Sequence, residues 1–344
     1  MKVAIVSTTV PFVGGGGRNI VDWLETMLQR YGHEVETYRI PFTGLWYEIP
    51  EQTAALRMFR IPSAERMIAI RTPSYVIPHS AKNLWFIHHI RAAYDLWGTP
   101  LGGLPDTAYG RAVRDAIRRS DDVALGEARH IYANSAVVAK RLMDYNGVAA
   151  PVLFPPLFEP ERYRGEAPSD YLFYPARICP QKRQMFTIEA MRHTKTPVRL
   201  VLCGPVEYDD YRDQLIQAIA RYGLQDRVTL IDRYVSEEEK IDILARALAV
   251  VYVPFDEDSY GYPSLEAAAA GKPVISTNDS GGTRELIVDG SCGWLTKGTA
   301  QALGAAFDDA FANRSRTAGM GEALAERVRE LGIDWPTTIE RILA

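Results

Sequence analysis

Cysteine is scarce in this chain of 344 residues. Cys179, Cys203 and Cys292 are an odd number with no CxxC spacing, which excludes a disulfide framework or a thiolate zinc site and points to a reducing compartment. Long apolar runs are missing as well. The start, Met1-Lys-Val-Ala-Ile-Val-Ser7, is too short an apolar stretch before Pro11 for a signal peptide, and nothing later approaches the roughly 18 residues of a membrane span. A soluble, cytoplasmic protein is expected. The glycine run at 14–17 lacks the GxGxxG spacing, so a dinucleotide site is poorly supported. Adjacent histidines, His88 and His89, follow an apolar strand and would point to opposite faces, so no metal is expected there.

What is present is an alternation of strand and helix. Short apolar, β-branched runs fall at 2–6, 34–38, 66–70, 84–87, 130–133 and 151–153, with helical segments at 17–30, 106–119 and 135–145 between them. The pattern repeats, with strands at 171–175, 198–203, 228–231, 249–253 and 273–276 and helices at 182–192, 208–222, 236–246, 262–270 and 299–312. Such alternation predicts an α/β fold of two doubly wound, Rossmann-like domains. A chain of this length with 47% hydrophobic residues can fill two cores. The proline-rich stretch Leu153–Pro160 marks the linker, giving domains 1–158 and 159–334. Charge is uneven between them: 17 Lys/Arg against 14 Asp/Glu up to residue 158, and 22 against 29 after it. The basic excess includes Arg111, Arg114, Arg118 and Arg119 at helical spacing, a solvated face or a patch for anionic lipid or for an acceptor carrying phosphate.

The most informative segment is Asp258-Ser-Tyr-Gly-Tyr-Pro-Ser-Leu-Glu266. Pro263 suits a first helical turn and Gly271 with Pro273 a stop, which puts Glu266 on a short helix and Asp258 in the loop feeding it. The amides of Tyr260, Gly261 and Tyr262 lie near the positive end of that helix, where anions bind. Upstream, Arg177 and Lys182 leave one predicted strand and enter a predicted helix, so a guanidinium fork and an ammonium can converge on one anion.

This combination resembles the donor-site signature of the retaining nucleotide-sugar glycosyltransferases of family four, which have the GT-B fold. The resemblance continues through Ser276–Glu285 and Asp289–Trp294 and extends over nearly the whole chain. It implies two domains facing each other across a cleft, with the last helix, 335–344, crossing back onto the first domain. It also implies that Glu266 binds the ribose of a UDP- or GDP-sugar, and that a carboxylate at Asp258 or the neighbouring Glu257 contacts the transferred sugar; which of the two reaches it stays open. Arg177 and Lys182 would neutralise the departing diphosphate, with no divalent metal required. Gly15 and Gly16 match a glycine pair facing the donor phosphates and the acceptor, Gly204 a glycine at a strand end, Tyr234 the loop framing the base, and His88 a histidine beside the transferred sugar. Asn134 and Ser135 match a further position, a helix cap or an acceptor contact.

The activity so implied is retaining transfer of a sugar to an acceptor hydroxyl of a glycan, lipid-linked or small-molecule acceptor in bacterial glycan or glycoconjugate synthesis. No nucleic-acid partner is expected, and contact with the inner membrane face would run through the first domain. Two other functions fit the same residues: a non-hydrolysing sugar-nucleotide epimerase, and an inactive nucleotide-sugar-binding partner subunit, to which Asp258 in place of Glu lends weight.

Overall fold

Strand β1 (Lys2–Thr9) has six of its eight residues buried, as a strand must when a parallel sheet is covered on both faces. The structure, a computed structural model, describes residues 1–11, 15–99 and 102–344. These fall into two units, Met1–Pro156 with Asp334–Ala344, and Leu157–Ile333.

The first unit continues with α1 (Gly16–Arg30), β2 (Glu34–Pro41), α2 (Ile49–Arg57), β3 (Arg66–Ala69), β4 (Lys82–Phe86), α3 (Ala108–Gly126), β5 (His130–Ala133) and α4 (Ala136–Asn146). Its sheet is all parallel in the order β2-β1-β3-β4-β5, so the order reverses between β1 and β3. Helix α1 starts on Gly15 and so has no side-chain cap, an omission that costs only a few tenths of a kcal/mol. Its stripe of Ile20, Val21, Leu24 and Leu28 is buried at roughly 1.5–3 kcal/mol each, so packing rather than capping holds it.

The second unit carries β6 (Tyr171–Pro175), α5 (Gln184–Met191), β7 (Arg199–Cys203), α6 (Asp209–Arg221), β8 (Val228–Ile231), α7 (Glu237–Ala245), β9 (Ala249–Val251), α8 (Tyr262–Ala269), β10 (Val274–Thr277), β11 (Gly293–Thr296), α9 (Ala300–Ala312) and α10 (Arg314–Glu330). Its parallel sheet runs β11-β10-β9-β6-β7-β8, which reverses between β6 and β9. In open sheets of this kind the ligand crevice lies beyond the carboxyl ends of the strands flanking that reversal.

The last helix, α11 (Trp335–Leu343), belongs to the first unit. Asp334 caps it by accepting from the Thr337 amide at 2.7 Å, and Trp335, Ile339 and Ile342 join the core that holds Trp85. The Asn83 amide donates to the Ile342 carbonyl at 2.7 Å in a buried position, fixing α11 to β4. Among the described residues no helix is long and apolar enough to cross a membrane.

Some elements depart from expectation. The strand expected at 151–153 shrinks to one bridge between Ala133 and Val152, because Pro151, Pro155 and Pro156 have no amide to donate. Helix α2, helix α10 and strand β11 were not foreseen. Gly319 and Gly321 depress the helix signal of α10, yet Gly321 is there for close packing: a Cβ would come within 2.0 Å of the Gly271 carbonyl oxygen.

Candidate functional site

In the second unit the chain leaves β6 through Arg177 and reaches Lys182 in a single 3₁₀ turn, Pro180–Lys182, ahead of α5. The expected helix therefore starts two residues later than predicted. Lys182 is held at both ends. The Tyr174 hydroxyl donates to its backbone carbonyl. Its ammonium donates to the Tyr252 hydroxyl at 3.0 Å and to Glu257 Oε2 at 2.5 Å, and lies 5.3 Å from the centre of the Tyr252 ring. Burial pulls the lysine's pKa down, but Tyr252 and Glu257 outweigh it and the net direction is up. Burial, then Glu257, pushes Tyr252 up to about 12, so the tyrosine is a neutral partner at physiological pH.

Tyr252 and Glu257 follow β9, the strand that meets β6 at the reversal of order, so the topology brings this constellation together. The loop between β9 and α8 is shaped by glycines. Gly261 has φ +71°, and a Cβ there would meet the Tyr252 ring at 2.3 Å. Gly281, with φ +64°, and Gly282 let the loop after β10 lie on the Glu257 and Ser259 backbone, where a Cβ would approach within 2.2 and 2.7 Å. The Gly282 amide donates to the Glu257 carbonyl at 2.9 Å. Arg183 ties the same loops from beneath: in the left-handed region at φ 53°, it donates to the carbonyls of Val253 and Pro254 and to both oxygens of Asp279. Its hydrogen bond and charge hold the Asp279 carboxyl below its usual range.

The other expected residues are placed as follows. Arg177 is half exposed and pairs with Glu207 at 2.5 Å; its charge and that of Lys182 both bear on the Cys179 thiol and on Tyr252. Glu257 rather than Asp258 engages Lys182. Glu266 is 5% exposed on α8 and accepts from the Lys240 ammonium at 2.7 Å. Burial pushes the Glu266 carboxyl above its ordinary value despite Lys240. Tyr260 is buried in the core, so only its backbone can serve a ligand, while Tyr262 is partly buried and shifted up by burial and by Glu266. Tyr234 is 79% exposed in the loop after β8. At Gly204 the Ala176 carbonyl oxygen lies 2.2 Å from where a Cβ would be, so this glycine serves the approach of two backbone segments.

In the first unit Gly15 precedes α1 at φ +142° and Gly16 opens that helix; Gly14 lies outside the described residues. Arg71 follows β3 and rests its guanidinium against Gly17, 3.3 Å from where a Cβ would be. His88 spends its Nδ1 on the His89 carbonyl at 2.8 Å. His89 is the buried one: its Nε2 meets Asn146 Oδ1 at 2.9 Å, its Nδ1 has no hydrogen-bond partner among the described residues, and burial lowers its pKa to about 4. Ser135 caps α4 by accepting from the Val138 amide at 3.0 Å. The arginines of α3 are engaged locally, Arg111 by Asp106, Arg114 by Asp115 and Arg118 by the Ala93 carbonyl. Among the described residues no three His, Cys, Asp or Glu side chains gather as metal ligands would.

Residues 160–327, nearly all of the second unit, match the family model of "Glycosyl transferases group 1". The second unit is therefore similar to the group 1 glycosyl transferases. The chain is 30% identical over 288 residues to a D-inositol 3-phosphate glycosyltransferase of Nocardia farcinica, an alignment that takes in 76% of this chain and 61% of that relative's length. Sucrose-phosphate synthase from Thermosynechococcus elongatus superimposes with a TM-score of 0.78 at 16% identity, over 99% of this chain and 97% of its own. HepE from Anabaena, solved with UDP-glucose, gives 0.70 at 17% identity over 99% and 98%. At such identities the likeness is one of fold, the GT-B fold of two Rossmann-like domains.

Three residues of the second unit escaped the sequence reading: Tyr252, Arg183 and Lys240. Tyr252 sits three residues into the run Val250–Val253 and reads as core. Arg183 stands beside Lys182 with nothing to mark its positive φ. Lys240 lies in the acidic segment Glu237–Glu239, which reads as a solvated helix start.

Proposed function

We propose that this chain moves a sugar from a UDP- or GDP-sugar to an acceptor hydroxyl with retention of anomeric configuration. One observation carries the reading: a partly buried, clamped ammonium, Lys182, stands at the carboxyl edge of the strands flanking the sheet reversal, in a unit whose α8 bears the buried acid Glu266. An ammonium has three donors. Tyr252 and Glu257 take two of Lys182's, and the third serves a phosphate oxygen of the donor.

Departure of a nucleoside diphosphate puts negative charge on the β-phosphate. Lys182 and Arg177 stabilise it as it forms, and a cation fixed beforehand does so without reorganising in the transition state. Charge neutralisation is assigned to these side chains and not to a divalent ion. Glu266 takes the ribose hydroxyls. Asp258, in the loop that feeds α8, is the carboxylate assigned to the sugar and to the positive charge on its anomeric carbon. The acceptor attacks from the face the phosphate vacates, and its proton goes to that phosphate, so no protein nucleophile is needed. A membrane role for α3 is not part of this reading, because three of its arginines already have partners.

The test is a panel of UDP- and GDP-sugars screened by thermal shift, followed by transfer assays with the donor that stabilises most. The right donor raises Tm by several degrees at saturating concentration, and the product carries the donor's anomeric configuration. Stabilisation without transfer or hydrolysis would favour an inactive binding partner, and an epimerised donor with no acceptor present an epimerase.

A further inference from the structure

Lys240 of α7 joins two carboxylates, Glu266 Oε1 at 2.7 Å and Glu237 Oε1 at 3.0 Å, and the Tyr163 hydroxyl donates to Glu237. The chain from Tyr163 through Glu237 and Lys240 to Glu266 links the segment before β6 with α7 and α8. The motif that singles out Glu266 says nothing of it. Resting on the donor reading above, we infer that Lys240 is a positioning residue for Glu266: it keeps the buried carboxylate ionised and turned so that its remaining lone pairs accept the two hydroxyls of a ribose.

The physical need is plain. A carboxyl only 5% exposed takes up a proton unless a cation is near, and a protonated acid offers one donor and fewer acceptor sites, a poor match to a vicinal diol that donates twice. The ammonium occupies one lone pair of Oε1 and leaves Oε2 and the rest of Oε1 for hydroxyls. Glu237 prevents the site from becoming neutral, since two carboxylates around one ammonium retain a net negative charge. The titratable groups bearing on Glu266 are Lys240 and Glu237 of α7, Tyr163, and Tyr262 of its own helix. Both tyrosines are shifted up, first by burial, so they stay neutral while the three charged groups set the protonation state.

The probe is UDP or GDP, whichever the wild-type chain binds more tightly, compared with its 2′,3′-dideoxy analogue by calorimetry between pH 5.5 and 8.5. Glu266→Gln is expected to weaken the ribonucleotide about tenfold and the dideoxy analogue less than twofold. Lys240→Met is expected to do the same at pH 7, with affinity recovering as pH rises, because the unpaired carboxyl ionises only at higher pH. Lys240→Arg keeps the cation and stays within about threefold of wild type. If Lys240→Met does not fold, Lys240→Gln has the same two outcomes. A merely structural lysine would lower Tm while leaving the ratio of ribo to dideoxy affinity unchanged, and that result overturns the inference alone. Tighter ribonucleotide binding by Lys240→Met also overturns it, since the lysine would then compete with the hydroxyls. Loss of discrimination in neither Lys240→Met nor Glu266→Gln overturns the donor reading together with it.

Discussion

The carboxyl edges of the two sheets are built differently. Beyond β6 and β9 the candidate cation has a hydroxyl, a carboxylate and a ring against it, and the loops beneath are tied by Arg183 and by glycines that admit backbone contact. Beyond β4 and β1, His88 meets its neighbour's carbonyl, and Gly15 and Gly16 contribute no side chain at all. The second unit is organised around fixed charge, as the proposed donor site requires. In the first unit the strand ends are tied by neutral hydroxyls, Thr8 donating to the Thr72 carbonyl at 2.7 Å and Ser74 to that of Val6 at 3.1 Å, and Asp121 accepts from Tyr75 and Tyr94 at 2.8 Å each.

Substitutions can break that comparison. The largest effect is expected at Lys182: Lys182→Met should lower kcat about 10²–10³-fold while donor affinity changes only a few-fold, read from steady-state kinetics beside nucleotide titration. If kcat holds and only KM rises, the lysine binds the ground state and the asymmetry is lost. Next is Gly261→Val, which puts a branched side chain at φ +71° and into the Tyr252 ring; Tm should fall by roughly 5–10 °C and kcat should fall with it.

The first unit should answer to pH instead. Burial raises Asp121 to about 7, so its folded form holds a proton that the unfolded chain loses near pH 4, and this term lowers stability as pH rises from about 4 to 7. His89 is depressed to about 4, so the unfolded chain holds the extra proton over much of that range and stability rises with pH. The two groups, joined through Tyr94, offset each other. Tm of the wild type should be nearly flat from pH 4.5 to 6.5; Asp121→Asn should make it rise with pH and His89→Asn should make it fall. Identical slopes in all three would show that neither group titrates there. Smaller again, His88→Ala should change stability by no more than about 0.5 kcal/mol and leave nucleotide affinity untouched. The smallest effect is expected from EDTA, which should leave transfer unchanged; a rate restored by Mg²⁺ or Mn²⁺ would mean that Arg177 and Lys182 do not suffice.

The fold was legible because it rests on period and punctuation. Both sheets show as apolar runs, and Pro263 with Gly271 bounds α8 within one residue of its observed end. Along the site, Arg177, Lys182 and Glu266 stand out as charged residues at strand exits or on a helix start. Their partners do not. Tyr252 looks like core, Lys240 like a solvated charge, and the pairing of Lys182 with Glu257 depends on a loop whose course is set by Gly281 and Gly282 packing 20 or more residues further on. Local pattern reports which residues are charged, whereas tertiary contact decides which charges meet.

The most direct test of the account is a crystal structure of the chain with UDP or GDP bound. The account predicts a phosphate oxygen within hydrogen-bond distance of Lys182 Nζ and both ribose hydroxyls on the Glu266 carboxylate. A nucleotide bound with Lys182 still turned wholly to Tyr252 and Glu257, or with its ribose away from Glu266, would contradict it.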